Sequence, residues 1–413
     1  MKSTCFIKVF VLLLLAYNNS FALPEKKPLG DVIIQWNSIS IKASKKAKQT
    51  TNFTSRTLAI ESIAIYDAVN SISHIGKPYH FNGKSTANAS TEAAAAKAAH
   101  DVLIKYFPLQ KIVIDSALLI SLQGITEGDV AEGEKIGAAS AADILAMREI
   151  DGSLPDIPYQ ASSNSGLGNY KLTPGVFAPG ISQQWGRIRP FLILSGNQFR
   201  PVAPPELTSA AYKNDLDAVA EIGSVSSTKR TLEQTHIAQF YKQDAELTVN
   251  EIARLLTQQR GSTIEETALV FMLVDVAEAD ACIASFESNY YYLFWRPVTA
   301  LNTEIDGSTS KGYAKFSPLV ITPPYPSYCC GHCSMVSAGL EVLKKFYGND
   351  NILEIHSTTR GEPSRVIKSL SQVESENGQS SLYGGINFPF DIRSADEQGH
   401  KLAQYILKTW YAN

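Results

Sequence analysis

The 413-residue sequence predicts an all-α protein of stacked helical bundles. Three observations predict it. Nearly every segment with a clear period repeats its apolar residues at helical spacing. Strand-like alternation is scarce, and no β-α-β rhythm appears. Residues 92–106 and 129–149 are rich in alanine, which favours helix and lets neighbouring helices approach closely.

Taken in order, Val32, Ile33, Trp36, Ile39 and Ile41 form an amphipathic stripe over residues 32–46. Thr54 or Ser55 is placed to cap a second helix, in which Leu58, Ile60, Ile63, Ile65 and Val69 recur up to Ser71. The alanine-rich helix over 92–106 stops at Pro108, and helices over 111–122 and 129–149 follow, the last ended by Asp151-Gly152. These make an N-terminal region over 23–152.

Residues 153–205 are dense in Pro, Gly, Ser and Asn and hold no period, so they read as a wrapping loop between two helical lobes. Trp185, Phe191 and Phe199 should pack it onto the body. Helices resume over 206–222, 228–241, 249–259 and 264 to about 295, the last with a break near Ser288. Helices over 334–347, 364–376 and 395–410 complete a C-terminal region, 206–413. No repeat of 20–50 residues is present.

The length allows a large core. A formal charge of −3 predicts neither nucleic-acid binding nor a polybasic membrane surface. Lys2 and Lys8 flank a short apolar run over 9–16, and Ser20 and Ala22 fit a signal-peptidase site. Residues 1–22 therefore read as a signal peptide, and the mature chain as exported, periplasmic or secreted. The run is too short for a confident span, and no later segment reaches the length of one. Four cysteines follow the leader: Cys282, Cys329, Cys330 and Cys333. In an oxidising compartment they allow two disulfides in three connectivities.

Three of those cysteines sit where a proline-broken extended stretch, Thr322 onward, passes into an apolar helical pattern through Met335, Val336 and Leu340. A glycine-containing turn feeding a helix start exposes backbone N–H groups at the positive end of the helix dipole, which favours an anion. Within five residues stand three thiols and an imidazole: Cys329, Cys330, Gly331, His332, Cys333.

Three segments in the last third of the chain, one of them holding this turn, combine. They are Asn-Tyr-Tyr-Tyr-Leu-Phe-Trp-Arg-Pro over 289–297, Pro-Ser-Tyr-Cys-Cys-Gly-His over 326–332, and Ser-Ser-Leu-Tyr-Gly-Gly-Ile-Asn-Phe-Pro-Phe-Asp over 380–391. Their order and spacing resemble the three-part signature of the vanadium-dependent haloperoxidases and type 2 phosphatidic-acid/acid phosphatases. In words it is Lys, six residues, Arg-Pro; then Pro-Ser-Gly-His; then Ser-Arg, five residues, His, three residues, Asp. The helix over 56–70, the loop over 185–201 and the run Trp295-Arg296-Pro297-Val298-Thr299-Ala300 look like the haloperoxidase branch. The resemblance therefore covers most of the mature chain.

It implies two stacked four-helix bundles with an oxyanion pocket in the C-terminal one, holding vanadate or a phosphoryl group. In the family a Lys and two Arg offset the anion's charge, Ser and Gly donate hydrogen bonds, one His is acid/base, and a second ligates vanadium or attacks phosphorus. A buried, multiply charged oxyanion needs such cations and aligned donors.

Carried over by position, Arg296 is the first Arg, Gly331 and His332 are the Gly-His, Ser380 precedes the second Arg, and Asp391 is the last acid. Four positions depart. The Lys position is Asn289, the hydroxyl position Cys330 (with Cys329 for its Pro), the second Arg Ser381, and the second His Asn387. Each lost charge-assisted contact is worth roughly 1.5–3 kcal/mol, so oxyanion binding should weaken by orders of magnitude. An amide neither attacks phosphorus nor offers vanadium a free nitrogen lone pair. No cofactor is expected, and vanadate only if substitute ligands exist. Arg360, Arg365 and Lys368 are the cations between the second and third segments that could supply them.

Two functional expectations follow. One is a vanadium-free enzyme with His332 as acid/base, Arg296 and Gly331 as anion binders and Cys330 as nucleophile; the other is a non-catalytic binding protein on the same scaffold. An active vanadium-dependent haloperoxidase or phosphatase using substitute ligands is the alternative to both. Beside them stands a structural reading, in which Arg296 anchors its helix end through an ion pair with Asp391 and His332 is simply hydrogen-bonded. Cys330-Gly331-His332-Cys333 is also a CxxC, of a sequence familiar from disulfide isomerases, whose first thiol should be acidified by the helix dipole. The strand-to-helix setting of thioredoxin-like proteins is missing, which leaves a structural disulfide or buried thiols filling the emptied site beside the redox reading. The other histidines lie in no metal-ligand spacing, and Cys330, His332 and Cys333 are crowded for one, so no metal site is expected. A small-molecule or anionic ligand, and a homodimer, are the partners in view.

Overall fold

The computed structural model describes residues 30–84, 88–161, 166–175, 177–303 and 316–412. The signal-peptide reading of residues 1–22 lies outside them. Helices α1 (Asp31–Lys46), α2 (Thr51–Ser73), α3 (Thr91–Tyr106), α4 (Lys111–Gln123) and α5 (Val130–Arg148) form the N-terminal half. The alanines of α3 act as expected: Ala93–Ala96, Ala98 and Ala99 are all buried. They face Gly133 and Gly137 of α5, where a Cβ on Gly137 would stand 2.3 Å from the carbonyl oxygen of Ala94. Ser90 and Asp129 cap α3 and α5, their side chains accepting the N–H groups of Ala93 and Glu132.

The connection over 153–205 carries one 3-10 turn, Trp185–Arg187, among the described residues. It is held down from below. Asp280, fully buried, accepts the backbone N–H groups of Phe191, Leu192 and Ile193 at 2.7, 2.7 and 2.9 Å. At its start Asp151 takes Arg56 of α2 and Arg148 of α5, at 2.7 and 2.9 Å, into one buried ionic cluster. Trp185 and Phe191 are buried, as the loop's composition predicts.

The C-terminal half holds α6 (Ala210–Ile222), α7 (Leu232–Phe240), α8 (Ala245–Arg260), α9 (Ile264–Tyr292), α10 (Pro297–Leu301), α11 (Gly331–Tyr347), α12 (Leu370–Tyr383) and α13 (Pro389–Tyr411). Helix α9 is apolar nearly all round and is the shared wall: it packs on α2 of the first half and on α11 and α13 of the second. Gly399 of α13 makes the neighbouring contact, since a Cβ there would meet the Ser334 carbonyl of α11 at 2.4 Å.

The structure corrects three expectations. Helix α2 starts a turn earlier than its capping residues predict: Thr50 is the N-cap, and Thr54 and Ser55 are buried inside the helix. No break occurs at Ser288, whose hydroxyl returns to the Ala284 carbonyl at 2.9 Å; α9 runs on to Leu293, a left-handed cap. The segment over 364–376 is not one helix. It begins as strand β2 (Arg365–Ile367), antiparallel to β1 (Leu353–Ile355), with Leu353 opposite Ile367. Ser369 then caps α12 through the Gln372 N–H at 3.1 Å. Strands of three residues are too short for alternation to be legible. No described helix is long and apolar enough to cross a membrane.

Candidate active site

Three helix N-termini converge on one cavity of about 320 Å³. Thr50, Thr51 and Asn52 bring the start of α2, Asp244 and Ala245 that of α8, and Cys330, Gly331 and His332 that of α11. Each start carries unsatisfied N–H groups and the positive end of a dipole. Cys282 and Ser285 of α9 form the floor, and Ser381 and Asn387 come from the end of α12 and the turn after it. Gly331 lets α11 start against α9: a Cβ there would lie 3.0 Å from the Ser285 hydroxyl.

The predicted positions thus divide. Cys330, Gly331, His332, Ser381 and Asn387 line the cavity, whereas Arg296 and Asn289 stand outside its lining. Arg296 is buried, donating from Nε to the Tyr325 carbonyl at 2.8 Å and from Nη1 to the Ile386 carbonyl at 3.0 Å and to Asn387 Oδ1 at 3.2 Å. Its guanidinium also stacks over the Tyr325 ring, 4.6 Å from the centroid. Its Nη2 is buried without a partner. The expected ion pair with Asp391 is replaced by an amide relay, because Asn387 Nδ2 donates to Asp391 Oδ2 at 3.0 Å. Asp391 also accepts from the Ser327 hydroxyl and the Phe388 N–H, and burial pushes its carboxyl up to about 6 against those hydrogen bonds. Asn289 donates to the Cys329 carbonyl at 2.9 Å.

Cys330 and Cys333 form a disulfide, with Cα atoms 5.4 Å apart. That corrects the reading of Cys330 as a nucleophile, since the oxidised sulfur has no thiolate to offer. Cys330 Sγ instead caps α11, accepting the Cys333 N–H at 3.3 Å, and lies 3.8 Å from the Ser381 hydroxyl. Cys282 and Cys329 are free and buried, and burial pushes both thiols up. Only one of the three pairings open in the sequence is compatible with this bond, and its second half is not formed.

His332 is half-buried, with Nε2 shielded from water and without a partner. Burial lowers its pKa to about 4, opposed by the Asp244 carboxylate. The imidazole is therefore neutral above that pH and can accept a proton. Arg360, Arg365 and Lys368 do not line the cavity. Arg365 is committed to Glu376 and Glu233 at 3.0 and 2.7 Å. Among the described lining residues Lys242 is the one lysine or arginine, and its side chain is exposed. Among the described residues no three His, Cys, Asp or Glu side chains gather as a metal site.

Sequence reasoning missed Thr50–Asn52 and the Tyr241–Ala245 turn. Both are helix starts remote in sequence, and the cap residues Thr50 and Asp244 are the one local sign of them.

Residues 269–411 match the VCPO second helical-bundle domain. Over 152 residues the chain is 24% identical to vanadium chloroperoxidase of Curvularia inaequalis, a match that takes in 34% of this chain and 22% of that protein, about a fifth of its length. A bacterial vanadium-dependent iodoperoxidase superposes with a TM-score of 0.81 at 22% identity, over 93% of this chain and 98% of that one. A bacterial vanadium-dependent chloroperoxidase does so with a TM-score of 0.69 at 14% identity, over 88% and 93%. In its matched second bundle and its all-helical fold, the chain is similar to the superfamily of the vanadium-dependent haloperoxidases.

Proposed function

We propose that this chain is an exported member of the superfamily whose oxyanion pocket is degenerate, and that its cavity serves a small molecule by chemistry other than vanadate-dependent halide oxidation or phosphoryl transfer. The observation that carries the reading is the state of Asn387. Its Oδ1 accepts from Arg296, and its Nδ2 donates to Asp391, the Ser327 carbonyl and the Ser327 hydroxyl. At the position where the family's signature has a histidine stands an amide whose nitrogen is spent on protein acceptors and has no lone pair to offer.

The residues present do not fit vanadate. Ser381 brings no charge, Asn289 is bound to a carbonyl, and Arg296 spends three of its five donors on protein acceptors, its unpartnered Nη2 belonging to a residue outside the cavity lining. What favours a ligand is the convergence of three helix N-termini beside a neutral imidazole. A small anion or polar molecule suits that field, with the Gly331 turn as its donor. The export reading rests on the leader-like pattern of residues 1–22.

The test incubates the protein with vanadate and follows halide oxidation by peroxide and phosphomonoester hydrolysis. Beside it runs a variant carrying Asn289→Lys, Cys330→Ser, Ser381→Arg and Asn387→His. No turnover by the natural chain, with activity gained in the variant, is the expected outcome. Clear turnover by the natural chain overturns the reading.

A further inference from the structure

We propose that the Cys330–Cys333 disulfide is a thiol-exchange site, which oxidises small organic thiols entering the cavity. This goes beyond the reading above and does not depend on it, since it needs only the cavity and the disulfide.

The two sulfurs are not equivalent. Cys330 lines the cavity, while Cys333 lies outside its lining and is completely buried. An incoming thiolate is thereby directed to Cys330. The site also favours Cys330 as a leaving thiolate: its sulfur sits at the first turn of α11, accepts the Cys333 N–H at 3.3 Å, and has the Ser381 hydroxyl at 3.8 Å as a second donor. Independently of the sulfurs, His332 presents a neutral imidazole whose Nε2 is shielded from water and unpartnered, in the same cavity. It leaves that wall of the cavity uncharged, and the entering group is the thiolate that solution supplies. A cavity of about 320 Å³ is at the small end of what small-molecule sites occupy, roughly 300–1,000 Å³. It admits a short organic thiol and excludes a thiol fixed on the surface of a folded protein.

The step balances without a further reagent. A thiol loses its proton and its sulfur bonds to Cys330 Sγ; the Cys330–Cys333 bond breaks, and Cys333 leaves as a thiolate that takes up a proton. A second thiolate attacks the external sulfur of the mixed disulfide. The small disulfide departs and Cys330 leaves as a thiolate, protonated in turn. Two thiols are oxidised to one disulfide, the protein disulfide is reduced to two thiols, and the two protons end on the protein. An excess of the small disulfide drives the exchange backwards.

The folded protein is treated with millimolar reduced glutathione, its thiols are blocked with iodoacetamide, and the segment holding Cys329, Cys330 and Cys333 is mapped by mass spectrometry. The expected result is blocked Cys330 and Cys333 with the helical circular dichroism retained, and no comparable reduction by a folded dithiol protein such as thioredoxin. Cys333→Ser treated with oxidised glutathione should hold one glutathione on Cys330, and Cys330→Ser none on Cys333. A disulfide that glutathione reduces only after denaturant overturns the proposal, as does equally fast reduction by thioredoxin or an adduct on Cys333. The experiments on the natural chain need no substitution, so the proposal stands or falls even if a variant does not fold.

Discussion

Arg296 Nη1 donates to Asn387 Oδ1 at 3.2 Å, and Asn387 is thereby the bridge between a buried cation and a buried carboxyl. The direction of the amide follows from its neighbours, because a guanidinium only donates and the Asp391 carboxylate accepts. A histidine has no carbonyl-like oxygen for Arg296, so the asparagine closes the network by turning it inward. Asn387 thereby holds buried groups together.

Asn387→Ala should therefore destabilise the fold by about 2–3 kcal/mol, since it leaves a buried donor and a buried acceptor each one bond short. Thermal unfolding followed by circular dichroism should show a clear fall in Tm. An unchanged Tm would mean that water replaces the amide without cost.

That network also marks what was legible in the sequence. The helices were readable because period, caps and alanine content agree over long spans, as in α3 and α9. The β1–β2 hairpin was not, because three residues cannot display a period. Arg296 and Asp391 were visible as a candidate pair, but spacing does not tell a direct ion pair from one relayed through Asn387. The cavity wall made by Thr50–Asn52 and Asp244 was hidden for another reason: it exists only where three helices far apart in the chain start side by side.

Asp280 offers a second test. It has no cation bonded to it, and its three N–H partners tie the 191–193 loop to α9. Asp280→Asn keeps the volume but turns one donor group toward donors, so it should cost on the order of 2 kcal/mol. Hydrogen exchange at Phe191, Leu192 and Ile193 should accelerate well before that of α9. Equal protection in both proteins would remove this role from Asp280.

Stability should fall as pH rises through the neutral range. Glu61, Glu246, Asp275 and Glu278 are buried between α2, α8 and α9, and each has a carboxyl oxygen without a partner. Burial raises all four, Asp275 to about 7 from an unfolded value of 3.8. Between those two pH values the folded chain holds a proton at Asp275 that the unfolded chain has released, so raising the pH favours unfolding. Tm should be several degrees higher at pH 5 than at pH 8, and Asp275→Asn should reduce the difference without abolishing it, because the other raised carboxyls remain. A Tm that climbs from pH 5 to pH 8 would contradict the assignment.

The last prediction concerns the cavity itself. His332 is held to about 4 chiefly by burial, and the Asp244 carboxylate at the start of α8 works in the other direction by favouring the imidazolium. Nuclear magnetic resonance of the ring protons should show His332 neutral from pH 5.5 to 8, with its titration completed only near or below pH 4. Asp244→Asn removes the carboxylate that opposes burial, so the midpoint should move lower still. Reduced glutathione that opens the disulfide meets an uncharged imidazole throughout that window. The exchange rate should therefore follow the thiolate fraction of the added thiol, rising with pH, without a step near 6.5 where an ordinary histidine titrates. A bell-shaped rate centred near 6.5 would place a charged His332 in the cavity and contradict both its burial and its unpartnered Nε2.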